Sequence, residues 1–198
     1  MVRVKICGIR SCADAAVAVA AGADAIGLLV GQVHESPDFI SPATAREICA
    51  TLGPFVVPVL VTHLTDPNSI VELAQQVPAW VVQLHSDLPI EALRQLRPRL
   101  APRKLLGKVS VEGPDAVIRA REIHGLVDGL LLDSCDRSTN RVGGTGLVHD
   151  WNLSAQIARE SPVPVILAGG LNPANRSEEH TSELQSHSDL VCRLLLEK

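Results

Sequence analysis

A chain of 198 residues, 46% of them apolar, has material for one packed domain and sits at the short end for an eight-unit α/β barrel. Its formal net charge of −4 comes without a basic cluster, and aromatic residues are 2% with no tyrosine, so neither a nucleic-acid footprint nor a base-stacking platform is present and no nucleic-acid partner is expected. No apolar run reaches the roughly 18 residues of a membrane span, and the start lacks a signal peptide's apolar segment, so a cytoplasmic protein with no membrane partner is the expectation.

The first strand is read over Val2 to Cys7 and ends on a thiol. Alternation along a strand points Lys5 and Cys7 to one face and Val4 and Ile6 to the other. A thiol needs a nearby positive charge to work as a base near neutral pH, and Lys5 could supply it. The blander reading is an inert buried cysteine beside a lysine that reaches solvent. Further strands are read at Ala25 to Val30, Phe55 to Val61, Trp80 to Leu84, Leu105 to Val109, Gly129 to Asp133 and Val163 to Ala168. Helical segments alternate with them. Ser11 precedes the first, Ser41-Pro42 and Asp66-Pro67 place a cap and a first-turn proline before the next two, and others cover Pro89 to Leu96, Pro114 to Ile123 and Asn152 to Glu160. Strands alternating with helices give βα units around a parallel sheet, either a closed barrel or an open doubly wound sheet.

The strand ends favour the barrel. They carry Cys7-Gly8, Gln32 and His34, Thr62-His63, Gln83 and His85, Lys108, Asp133 and Gly169-Gly170, a polar ring where barrels keep their active sites. No G-x-G-x-x-G follows the first strand, which removes the main sign of a dinucleotide site. Ser134 to Asp150 is a long loop with Gly143-Gly144-Thr145-Gly146 at its middle, suited to closing over a ligand or to simple solvation. Ala168-Gly169-Gly170-Leu171-Asn172-Pro173 suits an anion cradle, although a plain turn explains a glycine pair equally well. Cys7, Cys12, Cys49, Cys135 and Cys192 are odd in number with no C-x-x-C, and the histidines show no H-E-x-x-H, so neither a disulfide framework nor a metal site is expected.

Lys5-Ile6-Cys7-Gly8, Gln83-Leu84-His85, Leu131-Leu132-Asp133, Gly143-Gly144-Thr145-Gly146 leading to Asp150-Trp151, and Ala168-Gly169-Gly170-Leu171-Asn172-Pro173 stand in register over about 2–175. Together they resemble the phosphoribosylanthranilate isomerases. The resemblance implies a (β/α)8 TIM barrel and a cofactor-free Amadori rearrangement of N-(5-phosphoribosyl)anthranilate in tryptophan biosynthesis. It aligns Cys7 with the general base that removes the sugar C2 proton and Asp133 with the general acid that opens the ring. Cys7 should then be lowered in pKa and Asp133 raised by burial. Substrate and phosphate contacts are expected from Lys5, Gln83, His85, Gly143, Gly144, Gly169 and Gly170. The partner is a small phosphorylated sugar, and the chain a monomer or homodimer.

Two departures from the family stand out. Ser36-Pro37-Asp38 carries a carboxylate where the family commonly has an arginine that helps bind the anthranilate. From Arg176 onward the chain resembles a translated sequencing adapter, so 1–175 reads as a barrel truncated after about seven strands and 176–198 as an artefactual tail. Seven strands alone would leave two sheet edges, with Leu190 to Leu196 available to fill part of the gap. Activity of the incomplete chain is open. So are two other readings, a barrel enzyme for another phosphorylated aminosugar and a noncatalytic phosphosugar-binding relative.

Overall fold

The computed structural model describes residues 3–31, 33, 36–133, 135–136, 141–142, 150–169 and 189–194, with backbone only for 135–136, 141–142 and 189–194. Seven parallel strands form the barrel wall: β1 (Arg3–Cys7), β2 (Ala25–Leu29), β3 (Val57–Thr62), β4 (Val81–Leu84), β5 (Lys104–Ser110), β6 (Gly129–Asp133) and, after a short pair β7 (Cys135–Asp136) and β8 (Arg141–Val142), β9 (Val165–Leu167). The intervening helices are α1 (Cys12–Ala20), α2 (Pro42–Thr51), α3 (Pro67–Gln76), α4 (Ile90–Leu100), α5 (Asp115–Ile123) and α6 (Trp151–Glu160).

Local chemistry starts the first three helices where the sequence says it should. Ser11 Oγ accepts from the Asp14 amide at 3.1 Å, Ser41 Oγ from Thr44 at 3.0 Å, and an Asp66 carboxylate oxygen from Ser69 at 2.8 Å. Each bond satisfies one of the amides that a helix N-terminus leaves without an intrahelical partner. Pro42 and Pro67 occupy first-turn positions, where the missing N–H is no loss. Asp150 does the same for α6, accepting from Asn152 at 2.9 Å.

The strand order is β1, β10, β9, β6, β5, β4, β3, β2 and back to β1. Here β10 (Asp189–Leu194) lies parallel between β1 and β9, with Arg3 opposite Leu190 and Asp189 opposite Val165. The seven expected strands are therefore all present, and the two edges they leave are bridged by backbone from the tail. A strand needs only pairable N–H and C=O groups and β-forming residues, and Asp-Leu-Val-Cys-Arg-Leu supplies both.

Each wall strand separates two cores. Outward residues such as Ile26, Leu28, Leu60, Val82, Leu105, Leu130 and Leu132 pack under the helices in the larger cluster, while Cys7, Ala25, Val59, Val61, Leu106, Leu131, Ile166 and Ala168 fill the bore. This is the period-two alternation of a strand buried on both sides.

Several elements differ in extent from the sequence reading. β3 and β4 start at Val57 and Val81, leaving Phe55 92% and Trp80 52% exposed, so their aromatic character says nothing about pairing. α4 continues through Pro98 to Leu100, because buried Leu96 and Leu100 anchor the last turn and outweigh one lost backbone bond. Within Ser134 to Asp150, β7 and β8 pair antiparallel, Cys135 opposite Val142, where only loop was expected.

Candidate active site at the C-terminal rim

The inward face of the strands carries the polar groups. Lys5 and Cys7 come from β1, Gln83 from β4 with His85 just beyond it, Lys108 from β5 and Asp133 from the end of β6, and all are buried. His63, just after β3, is buried beside them. Lys5 is fully buried, and its Nζ donates to Cys7 Sγ at 2.6 Å and to Gln83 Oε1 at 2.8 Å. Desolvating an ammonium is costly, and two acceptors at hydrogen-bond distance are what make it tolerable. Gln83 Nε2 lies 3.1 Å from His85 Nδ1, and His85 Nε2 lies 3.5 Å from Asp133 Oδ2. A polar chain thus crosses the bore from the thiol on β1 to the carboxyl on β6.

His85 is kept well below the usual imidazole range, first by burial and then by His63 and the Lys108 and Lys5 charges. Its ring tilts at 38° against that of His63, centroids 4.9 Å apart, and Phe39 meets His63 edge-on at 5.1 Å.

Glycine makes room for the thiol. Gly27 on β2 is the register partner of Cys7, and a Cβ there would lie 2.5 Å from Cys7 Sγ and 3.1 Å from its Cα. Sequence reading missed this residue, although a glycine inside Ala-Ile-Gly-Leu-Leu is the signal of a close approach. It also left Lys108 as a rim residue without a role, where the structure buries its charge beside the histidines. Asp38 lies over the thiol-bearing strand end, its Cγ 3.9 Å from where a Gly8 Cβ would be.

The family model for N-(5'phosphoribosyl)anthranilate (PRA) isomerase matches residues 4–185. The chain belongs to the N-(5'-phosphoribosyl)anthranilate isomerase family. Its similarity to N-(5'-phosphoribosyl)anthranilate isomerase 2 of Methanosarcina mazei is 42% identity over 176 residues, covering 89% of this chain and 78% of the relative. The isomerase of Methanocella arvoryzae is 38% identical over 178 residues, 90% of this chain and 82% of its own. Among solved structures, the isomerase of Thermotoga maritima superposes with a TM-score of 0.81 at 32% identity, covering 97% of this chain and 88% of that one. Another isomerase structure, in complex with reduced 1-(o-carboxyphenylamino)-1-deoxyribulose 5-phosphate, gives 0.77 at 32% identity, with 97% and 87% covered.

Of the residues that the isomerase resemblance singled out, the structure brings Lys5, Cys7, Gln83, His85 and Asp133 into one buried cluster. Gly169, two residues beyond β9, has a positive φ of 81°, a conformation that suits glycine. Gly143, Gly144, Gly170, Gln32 and His34 lie outside the described residues. Among those described, no three metal-ligating side chains cluster, and no helix is long and apolar enough to cross a membrane.

Proposed function

We propose that Cys7 is the general base and Asp133 the general acid of the isomerisation that gives this family its name. The reaction converts N-(5-phosphoribosyl)anthranilate to 1-(2-carboxyphenylamino)-1-deoxyribulose 5-phosphate. Asp133 gives its proton to the ring oxygen as the bond from that oxygen to C1 breaks and the nitrogen lone pair forms the Schiff base. Cys7 then removes the C2 proton, and the resulting enol collapses to the ketone. The observation that carries this reading is the Lys5 ammonium 2.6 Å from Cys7 Sγ, since a buried cation in contact favours the thiolate.

Asp133 is fully buried, and burial favours the neutral acid that a proton donor must be. Lys5, Gln83 and His85 contact the substrate, and Gly143, Gly144, Gly169 and Gly170 contribute to holding its phosphate. The chain works in the cytoplasm on a small phosphorylated sugar, as a monomer or as a homodimer. A Thermotoga maritima structure, 30% identical with a TM-score of 0.77, is of monomers generated from a dimeric isomerase. Residues 1–175 form the isomerase unit, and 176–198 form a tail that did not evolve with it.

A second reading has its own observation. Asp38 sets a carboxylate over the Cys7-Gly8 strand end, where it opposes an anthranilate carboxylate, so another phosphorylated aminosugar is the alternative substrate. Turnover is followed by the loss of substrate fluorescence for the parent, Cys7→Ser and Asp133→Asn. Each variant is expected to lose about a hundredfold to ten-thousandfold in kcat. A Cys7→Ser protein within about tenfold of the parent would remove the base assignment.

A further inference from the structure

The polar chain across the bore has a direction, and it can be read from one end. The Lys5 ammonium has protons to give and no lone pair, so the Gln83 atom 2.8 Å from it is the carbonyl oxygen. That fixes the other end of the amide: the Gln83 NH2 group, which only donates, faces His85 Nδ1 at 3.1 Å. Nδ1 therefore presents its lone pair. The imidazole is buried and faces Lys5, Lys108 and His63, all of which oppose a second proton, while Asp133 on the remaining side is its acidic neighbour. A neutral ring with a bare Nδ1 carries its one hydrogen on Nε2, the nitrogen 3.5 Å from Asp133 Oδ2.

We propose that Gln83 is a positioning residue that holds His85 as its Nε2–H tautomer, so that the imidazole cannot take the Asp133 proton and that proton is kept for the substrate. This rests on Asp133 acting as the general acid. With the opposite tautomer, a bare Nε2 would face the carboxyl and compete with the ring oxygen. With the tautomer Gln83 imposes, an N–H faces Asp133 instead, and its attraction grows as the carboxyl loses its proton and becomes negative. A contact that strengthens along the reaction lowers the barrier without tightening the ground state. No proton moves to or from His85: the bond broken is O–H on Asp133 and the bond formed is O–H on the leaving ring oxygen.

The test is the tautomer itself, read by long-range proton–nitrogen NMR of the full chain labelled with 15N-histidine at pH 7.5. His85 is assigned among the seven histidines by the signals lost in His85→Gln. The parent is expected to show neutral Nε2–H. Gln83→Glu offers only acceptors, so one carboxylate oxygen keeps Lys5 and the other draws the proton to Nδ1. The tautomer should reverse, with kcat falling about tenfold to a hundredfold and KM within about threefold of the parent. Gln83→Met, which keeps the size and removes both bonds, should give a mixture of tautomers. A parent His85 in the Nδ1–H or doubly protonated form, or an Nε2–H tautomer that persists unchanged in either Gln83 variant, overturns the proposal. Full turnover in Asp133→Asn would instead remove the acid role on which it rests, while leaving the NMR result for the imidazole standing.

Discussion

The chemistry at this rim hangs on a lysine in the wrong solvent. Lys5 is fully buried, and it donates to Cys7 on its own strand and to Gln83 on β4. A buried cation with polar partners contributes little to stability and often less than an apolar residue of the same shape. Lys5→Met should accordingly leave the melting temperature unchanged or higher while lowering kcat by about a hundredfold or more. A large loss of stability on calorimetry would show that the ammonium is structural. Gly27 makes the complementary case. Its alanine variant puts a methyl group 2.5 Å from Cys7 Sγ and close to backbone as well, so the thiol has to leave its place at Lys5. We expect Gly27→Ala to fold with a loss of about 1–3 kcal/mol and to lose about a hundredfold in kcat. Normal turnover in a folded variant would mean that the thiol position is not critical. Cys7, Lys5 and Asp133 were legible in the sequence because strand alternation and strand ends locate them. Gly27 was not, since its function is the absence of a side chain opposite a residue on another strand.

Elements are joined by charges whose worth depends on burial. Asp128, in the turn before β6, accepts two bonds from the Arg97 guanidinium on α4, one from the Leu105 amide at 2.8 Å and one from Lys104 Nζ at 3.3 Å. Burial pushes this carboxyl up, but the hydrogen bonds from Arg97, Leu105 and Lys104 outweigh it and hold it below its usual 3.8. Stability from this group is present above pH 3.8 and is lost as pH falls through its lower folded value. Asp128→Asn should cost about 2 kcal/mol, roughly 4–8 °C in a chain of this length. The Arg121 pair with Glu160, which ties α5 to α6, is open to solvent on both sides. Arg121→Ala should shift the melting temperature by no more than about one degree. Equal effects of the two substitutions would refute the ranking. Helix starts were legible because Ser11, Ser41 and Asp66 cap by local chemistry. The end of α4 was not, since tertiary burial of Leu100 overrode the local meaning of Pro98.

At the scale of the whole molecule, two properties follow from a barrel with a polar bore. Burial keeps His85 from accepting a proton that the unfolded chain takes up near pH 6.5. Its contribution is therefore complete above that value and declines as pH falls toward the lower folded one, so the chain loses stability on the acid side. Urea denaturation between pH 7.5 and 5 should show that slope in the parent and a shallower one in His85→Gln. The second property is closure. Seven βα strands were legible in the sequence from β-branched runs and helix caps, and Leu190 to Leu196 was legible as a segment available for the gap, whereas its register as Asp189–Leu194 against β1 and β9 was not, because backbone pairing carries little sequence signature. Replacing 176–198 with an eighth βα unit of the isomerase family should raise the melting temperature, since a βα unit buries side chains against the bore and the helix layer. The measurement that tests the account most directly is the fluorescence loss on isomerisation of N-(5-phosphoribosyl)anthranilate by this completed chain and by its Cys7→Ser variant. Turnover in the first and its loss in the second is the predicted result. No turnover from a folded, completed barrel would contradict the account and direct the search, through Asp38, to other phosphorylated aminosugars.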